Sequence, residues 1–409
     1  MRGPGRRGGH GVPRLVPVGL LLASSAWAAG FALPEQSARS VGAGGTGTAS
    51  ATGASALYYD VGNLAFEDGL SAELSAAVIV PTFRYEPLRA VDGTPATARP
   101  QVFTQPAVFV AAPVEEGVFV GVGGFSNFGL GLTWPEGFDG RFDSTSSNVT
   151  TFTVNPGAAW RIDRHLGVGA GVDVVRGTVE LGQALDFVDQ AGALKMGAGT
   201  WGVGFNAGLG GRWLVDDLSA GLAFRSAVPL DFKGRAHFTA PPEFAASLAD
   251  QEVRTRITLP NQLSAGVSYR VHPKVRASVD LTYTTWSSFR VLAITFPGDP
   301  TLDKELRRDW KNTLTARAGA EVTLWKGLTA RLGAGFDPSP SPSDTLSPSL
   351  PDADRVLASA GAGYRAGNFS ADLGYMLVLL LPRESSGEAF PARYSGMAHL
   401  VALTVAFRQ

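Results

Sequence analysis

Apolar and polar residues alternate with a period of two along most of the chain beyond residue 68. In 275–284, Val275, Ala277, Val279, Leu281 and Tyr283 share one face, opposite Arg276, Ser278, Asp280, Thr282 and Thr284. The same pattern runs through 263–271, 312–324, 328–336 and 401–407. Successive strand side chains point to opposite faces, so each run predicts a β-strand with one apolar face. Fourteen strands are predicted, at 69–84, 101–113, 117–133, 149–162, 166–181, 199–214, 217–232, 252–271, 274–292, 309–324, 327–337, 353–366, 368–382 and 395–408. The clean runs are roughly 9–13 residues long, the reach of a tilted membrane-crossing strand rather than the ~5–6 of a soluble one. Several end in aromatics, as an interfacial girdle would: Tyr283, Trp286, Trp325 and Tyr364. Short connections at 271–274 and 326–327 contrast with long ones at 85–101, 135–148, 234–251, 297–309 and 337–354. The fold predicted is all-β, a transmembrane antiparallel β-barrel.

Composition removes competing readings. The 409 residues are 44% hydrophobic and 17% charged, with 51 Gly and no Cys. So much apolar content at a net charge of -1 excludes a disordered chain. The absence of Cys excludes disulfide scaffolds, thiolate metal sites and thiol catalysis. The balanced charge leaves no basic footprint for nucleic acid. After the first residues, the longest apolar run is six residues, Met376–Leu381. A spanning helix needs ~20, so a membrane location requires a barrel. A secreted sandwich would also alternate, but its polar face would not usually be so rich in Gly and Ala.

Residues 1–29 read as a secretory signal peptide. Arg2, Arg6, Arg7 and Arg14 precede an apolar stretch from Leu15 to Ala23, and Ala26-Trp27-Ala28 forms a cleavage site. Cleavage removes four Arg and no acids, leaving a net charge of -5. Residues 30–68 are rich in small residues and lack alternation, yet carry Phe31, Leu33, Leu57, Tyr58, Tyr59, Leu64 and Phe66. That is too many apolar anchors for a solvated tail. They are expected to form an N-terminal hatch plugging a barrel built from residues 69–409.

Four islands of sequence resemble the FadL family, outer-membrane transporters of long-chain fatty acids and other hydrophobic compounds. They are Gly30-Phe31-Ala32-Leu33 through Glu35-Gln36-Ser37; Phe125–Leu130 with Trp134-Pro135-Glu136 and Gly140-Arg141-Phe142; Leu259-Pro260 and Ser264-Ala265-Gly266 with Asp280 and Tyr283–Phe289; and Phe336–Pro342 with Leu350–Arg355. They occur in family order across nearly the whole mature chain. Two departures stand out. Asp60-Val61-Gly62 replaces the family's Asn-Pro-Ala step, and the last aromatic, Phe407, stands two residues before the end.

The resemblance implies passive outer-membrane uptake with no cofactor, metal or nucleic acid. The expected partners are a long-chain fatty acid or hydrophobic small molecule and outer-membrane lipid, with the barrel a monomer. The third strand alternates through Val118, Val120 and Val122 and then breaks at Gly123-Gly124-Phe125-Ser126-Asn127-Phe128-Gly129. Clustered Gly in a strand marks a kink, which the family uses as a lateral exit. Hatch contacts are expected from Phe31, Leu33, Glu35, Gln36, Ser37 and Asp60. Arg270, Arg276, Arg317 and Arg331 are lumen-facing candidates for a carboxylate head group, with Arg225 and Arg355 near strand ends. Trp134, Phe138 and Phe142 are candidates for an extracellular apolar patch. The alternatives are a plugged structural or adhesive barrel, or an outer-membrane lipase or protease, for which His237 is the sole rim candidate without a motif.

Overall fold

The computed structural model describes residues 30–89, 93–187, 191–213, 217–245, 248–387 and 391–409. The expected signal segment lies outside them. Fourteen antiparallel strands close into a barrel. β1 (Ser71–Pro87) and β2 (Phe103–Glu115) are followed by β3, which comes in two pieces, Val118–Phe125 and Gly129–Thr133. Next come β4 (Ser146–Arg161), β5 (Leu166–Asp186) and β6 (Ala191–Trp213). The next four strands are each interrupted: β7 (Leu218–Arg225, Val228–Thr239), β8 (Gln251–Leu259, Gln262–His272), β9 (Val275–Thr284, Val291–Thr295) and β10 (Lys304–Arg307, Thr313–Trp325). β11 (Leu328–Asp337), β12 (Arg355–Ala366), β13 (Phe369–Glu384) and β14 (Ala392–Arg408) complete the wall. Closure is made by β1 against β14, from Ser71 opposite Arg408 to Pro87 opposite Ala392. Each predicted strand overlaps one strand of the barrel.

The apolar faces point outward. Val203, Leu314, Leu332 and Leu403 are among the large side chains left exposed on the wall, which hydrocarbon would cover. Tyr283, Trp325 and Tyr364 are also exposed. Trp286 departs from the girdle expectation, because it is fully buried. β9 stops at Thr284 and a 3-10 turn, Trp286–Ser288, swings the ring into the lumen. The chain reverses tightly at Gly117, Gly327 and Gly367, all at positive φ, and all at the end where β1 begins. The long connections lie at the other end. Short turns face the periplasm in such barrels.

Residues 30–70 fill the lumen. Two short helices, α1 (Ala38–Gly42) and α2 (Ala56–Tyr59), precede a 3-10 turn, Val61–Phe66. The Ser37 hydroxyl caps α1 by accepting from the Ser40 amide, and the Asp60 carboxylate accepts from the Gly62 amide at 2.9 Å. This segment touches both sides of the barrel, α1 against β12 and β13 and the 3-10 turn against β5 and β6. Glycines on the inner face allow that approach. A Cβ on Gly42 would stand 2.9 Å from the Gly361 Cα, and one on Gly62 would stand 2.6 Å from the Gly210 nitrogen. Polar bonds complete the seating. Asp280 accepts from the Gly47 and Thr48 amides at 2.8 Å each, and Arg39 pairs with Glu321 at 2.7 Å.

Candidate functional site

The break in β3 is a gap in the wall. The ladder between β2 and β3 ends at Val108 opposite Gly124, and among the described residues the upper piece of β3 forms its strand ladder with β4. Among the described residues, the stretch Phe103–Ala107 therefore has no ladder partner on its β3 side. Side chains and plug close the opening. A Cβ on Gly131 would fall 2.3 Å from the Phe103 ring, so Phe103 lies against the bare backbone at Gly131. The Gln105 amide donates to the Ser126 carbonyl at 2.9 Å, as does the Gln36 amide at 2.7 Å. The plug's first residues run antiparallel to the break. Leu33 N–H donates to Asn127 O at 2.9 Å, Gly129 N–H donates to Phe31 O at 2.8 Å, and Ala32 faces Phe128 between them.

Phe31 also holds the far wall. Interruptions in β9 and β10 drop Trp286, Phe289 and Trp310 into the lumen, where their rings lie 4.8, 5.9 and 5.7 Å from that of Phe31. Phe128 joins the same cluster at 5.9 Å. Gly30 sits at φ +66°, and a Cβ there would collide with Trp286 and Trp310. Edge-to-face packing of this kind adds about 0.5–1.5 kcal/mol per pair beyond area burial. One aromatic residue thus ties the hatch to both the gap and the opposite wall.

Above this cluster lies an apolar pocket. Its walls include Leu130, Val149, Val179, Met196, Ile257 and Phe296, with Phe31 and Phe289 also lining it. Two cations stand at its edge. Lys304 Nζ donates to Gln183 Oε1 at 3.1 Å. Arg308 is buried, donates to Ser349 Oγ at 2.9 Å and Ser347 Oγ at 3.3 Å, and leaves its Nε without a partner. No carboxylate lies within ion-pair distance of Arg308 among the described residues, although Asp143, which also lines the pocket, attracts it from farther away. An apolar groove ending in fixed cations fits an amphiphilic anion.

The sequence-named residues fall into separate groups. Phe31, Leu33, Glu35, Gln36, Ser37 and Asp60 are all buried in the plug. Gly123, Gly124 and Phe125 end the lower piece of β3, Ser126–Phe128 form the gap, and Gly129 opens the upper piece. Arg317 pairs with Glu35 at 3.3 Å and Asp337 at 3.0 Å; Arg331 pairs with Glu321 at 2.9 Å and Asp372 at 2.6 Å. Arg270 pairs with Asp217 at 2.7 Å, while Arg276 reaches Ser268 at 3.4 Å near the periplasmic end. Arg225 pairs with Asp173, and Arg355 with Asp352. None of these six arginines lines the apolar pocket. Trp134 and Phe138 are buried rather than presented as a patch: their rings stack at 4.4 Å beside Tyr85, and Trp134 Nε1 donates to Pro348 O at 3.0 Å. Phe142 is half-buried under Arg141. His237 pairs with Asp250 at 2.6 Å in an exposed position. Sequence reasoning missed Phe103, Gln105, Lys304 and Arg308. The signal available was position: two lie on the strand before the Gly-rich break, Lys304 begins the first piece of β10, and Arg308 opens its interruption.

Residues 19–408 match the family described as outer membrane protein transport protein (OMPP1/FadL/TodX). The chain is 26% identical over 397 residues to the long-chain fatty acid transport protein of Escherichia coli K12, covering 84% of this chain and 86% of that one. It is 27% identical over 324 residues to outer membrane protein P1 of Haemophilus influenzae, covering 70% and 69%. Among solved structures, a Pseudomonas aeruginosa FadL homologue superimposes with a TM-score of 0.85 at 19% identity, covering 93% of this chain and 100% of that one. The Pseudomonas putida toluene transporter TodX gives 0.74 at 18% identity, covering 90% and 97%.

Proposed function

The chain belongs to the outer membrane protein transport family of hydrophobic-compound transporters, and from that premise we propose that it carries long-chain fatty acids passively across the outer membrane. The observation that carries this reading is the position of Phe31. The residue lines the apolar pocket, and its carbonyl accepts from Gly129 at the β3 gap. A ligand filling the pocket presses on the same residue that closes the gap. Displacing the first hatch residues would join pocket to gap, and the ligand would leave sideways into lipid. An apolar molecule gains by entering hydrocarbon without crossing water.

Arg308 favours a carboxylate head group over a neutral aromatic hydrocarbon, since its Nε is buried and unpaired. The toluene transporter shares the fold, so neutral aromatics are the second reading. The test is retention by the folded barrel of oleate and toluene, measured by native mass spectrometry. Losing charge-assisted hydrogen bonds worth about 1.5–3 kcal/mol should cut oleate affinity in Arg308→Gln by roughly 10- to 100-fold, with toluene unaffected. Unchanged oleate affinity would remove the head-group assignment. Retention of toluene alone would select the second reading.

A further inference from the structure

We propose that the periplasmic end of the lumen is a binding chamber for a soluble, multiply charged anion of the phosphate class. It lies below the plug, away from the apolar pocket. Its lining includes Arg164, Arg212, Arg276, Arg365 and His165, together with Arg39, Arg270 and Arg408, and no Asp or Glu stands among its described lining residues. The plug segment Ala49–Thr52 forms its roof.

The charges in this chamber are unevenly answered. Arg39, Arg270 and Arg408 have carboxylate partners in Glu321, Asp217 and Glu73. Among the described residues, Arg164, Arg212, Arg276 and Arg365 have none within ion-pair distance. Arg164 Nε donates to His165 Nε2 at 2.9 Å, Arg212 lies over the Phe66 ring at 4.7 Å, and Arg276 reaches only Ser268. These four come from the β4–β5 turn, β6, β9 and β12, so they converge from different parts of the wall.

Like charges gathered in a partly enclosed space repel one another more strongly than they would in open water. A bound anion relieves that repulsion. Guanidinium groups match phosphate oxygens with paired, planar hydrogen bonds. Four cations with no ion-pair partner among the described residues suit a polyvalent ligand better than a single carboxylate. The lining also argues against a fatty acid tail, because Leu218 is the one large apolar side chain among its described residues.

The experiment is calorimetric titration of the folded full-length chain in nonionic detergent with sodium pyrophosphate at low salt. Saturable binding is expected, weakening steeply as salt is raised. Arg276→Gln with Arg365→Gln should lower the affinity at least tenfold, and Arg365→Gln alone, at an exposed side chain, severalfold. A soluble phosphate ester and a short-chain phosphatidylglycerol, titrated separately, distinguish free phosphate from a lipid headgroup as the source. Oleate should not compete with pyrophosphate. Absence of saturable binding, or an affinity unchanged in both variants, would overturn the assignment.

Discussion

Leu33 donates its main-chain amide to the carbonyl of Asn127 at 2.9 Å, and so the plug supplies the strand pairing that β3 lacks at its break. The plug therefore acts as a piece of the wall as well as a stopper. Any route through the gap must break this pairing.

That relationship can be locked chemically. Ala32 and Phe128 face each other between two flanking main-chain bonds, the close, non-hydrogen-bonded kind of antiparallel pair. Such pairs bring Cα atoms to about 4.5 Å, inside the range a disulfide spans. The chain has no cysteine of its own. Ala32→Cys with Phe128→Cys should form a disulfide on oxidation, stop fatty acid uptake by vesicles containing the barrel, and regain uptake on reduction. Equal uptake by oxidised and reduced forms would mean that the ligand leaves by another route.

The seating of the plug on backbone can be tested from the wall side. A Cβ on Gly361 would approach the Gly42 Cα to 2.9 Å, and backbone cannot yield as a flexible side chain does. Gly361→Val should push α1 off the wall. Overpacking of this kind costs about 1–3 kcal/mol. The expected result is a lower Tm together with measurable ion conductance in planar bilayers. A sealed barrel of unchanged Tm would show that α1 has room to shift.

The barrel was legible because lipid outside and a polar lumen inside impose opposite demands on alternate residues. That rule holds along Leu328–Phe336 and Val401–Phe407, and it placed every strand. It failed at Trp286 because the strand there ends early, and alternation says nothing about a residue after the last rung. The β3 break was legible from its glycines. Its closure was not, since Phe103, Gln105 and Phe31 meet across separations that no local pattern encodes. Arg308 was hidden for a similar reason: it lies in a strand interruption, where neither face is defined. The lumen arginines named from alternation do face inward, but alternation cannot tell a paired guanidinium such as Arg317 from a less satisfied one.

Arg317 sits between Glu35 of the plug and Asp337 of the wall, and all three are buried. Removing one member leaves buried charge uncompensated, at about 3–5 kcal/mol. Arg317→Gln should lower Tm and raise proteolytic cutting within residues 30–40. Glu35→Gln in the same chain should recover part of the loss by removing one stranded carboxylate. If the double variant is no more stable than Arg317→Gln, the coupling through Glu35 is absent.

Asp60 gives the plug a pH dependence whose sign is fixed by its surroundings. Burial pushes its carboxyl up to about 8; the Gly62 amide opposes the shift and the nearby Asp280 adds to it. The folded plug therefore prefers the neutral acid, whereas an unfolded aspartate ionises near pH ~3.9. Between those values the folded form binds more protons, so stability falls as pH rises. The contribution is complete below about pH 4, declines through the neutral range and is gone above about 8. Hydrogen exchange of the Val61–Phe66 amides, corrected for the intrinsic rate, should show protection decreasing from pH 5 to pH 8. Asp60→Asn keeps the shape and removes the charge, so its protection should be flat over the same range. A wild-type profile as flat as that of the variant would mean that the carboxylate is already ionised in the seated plug.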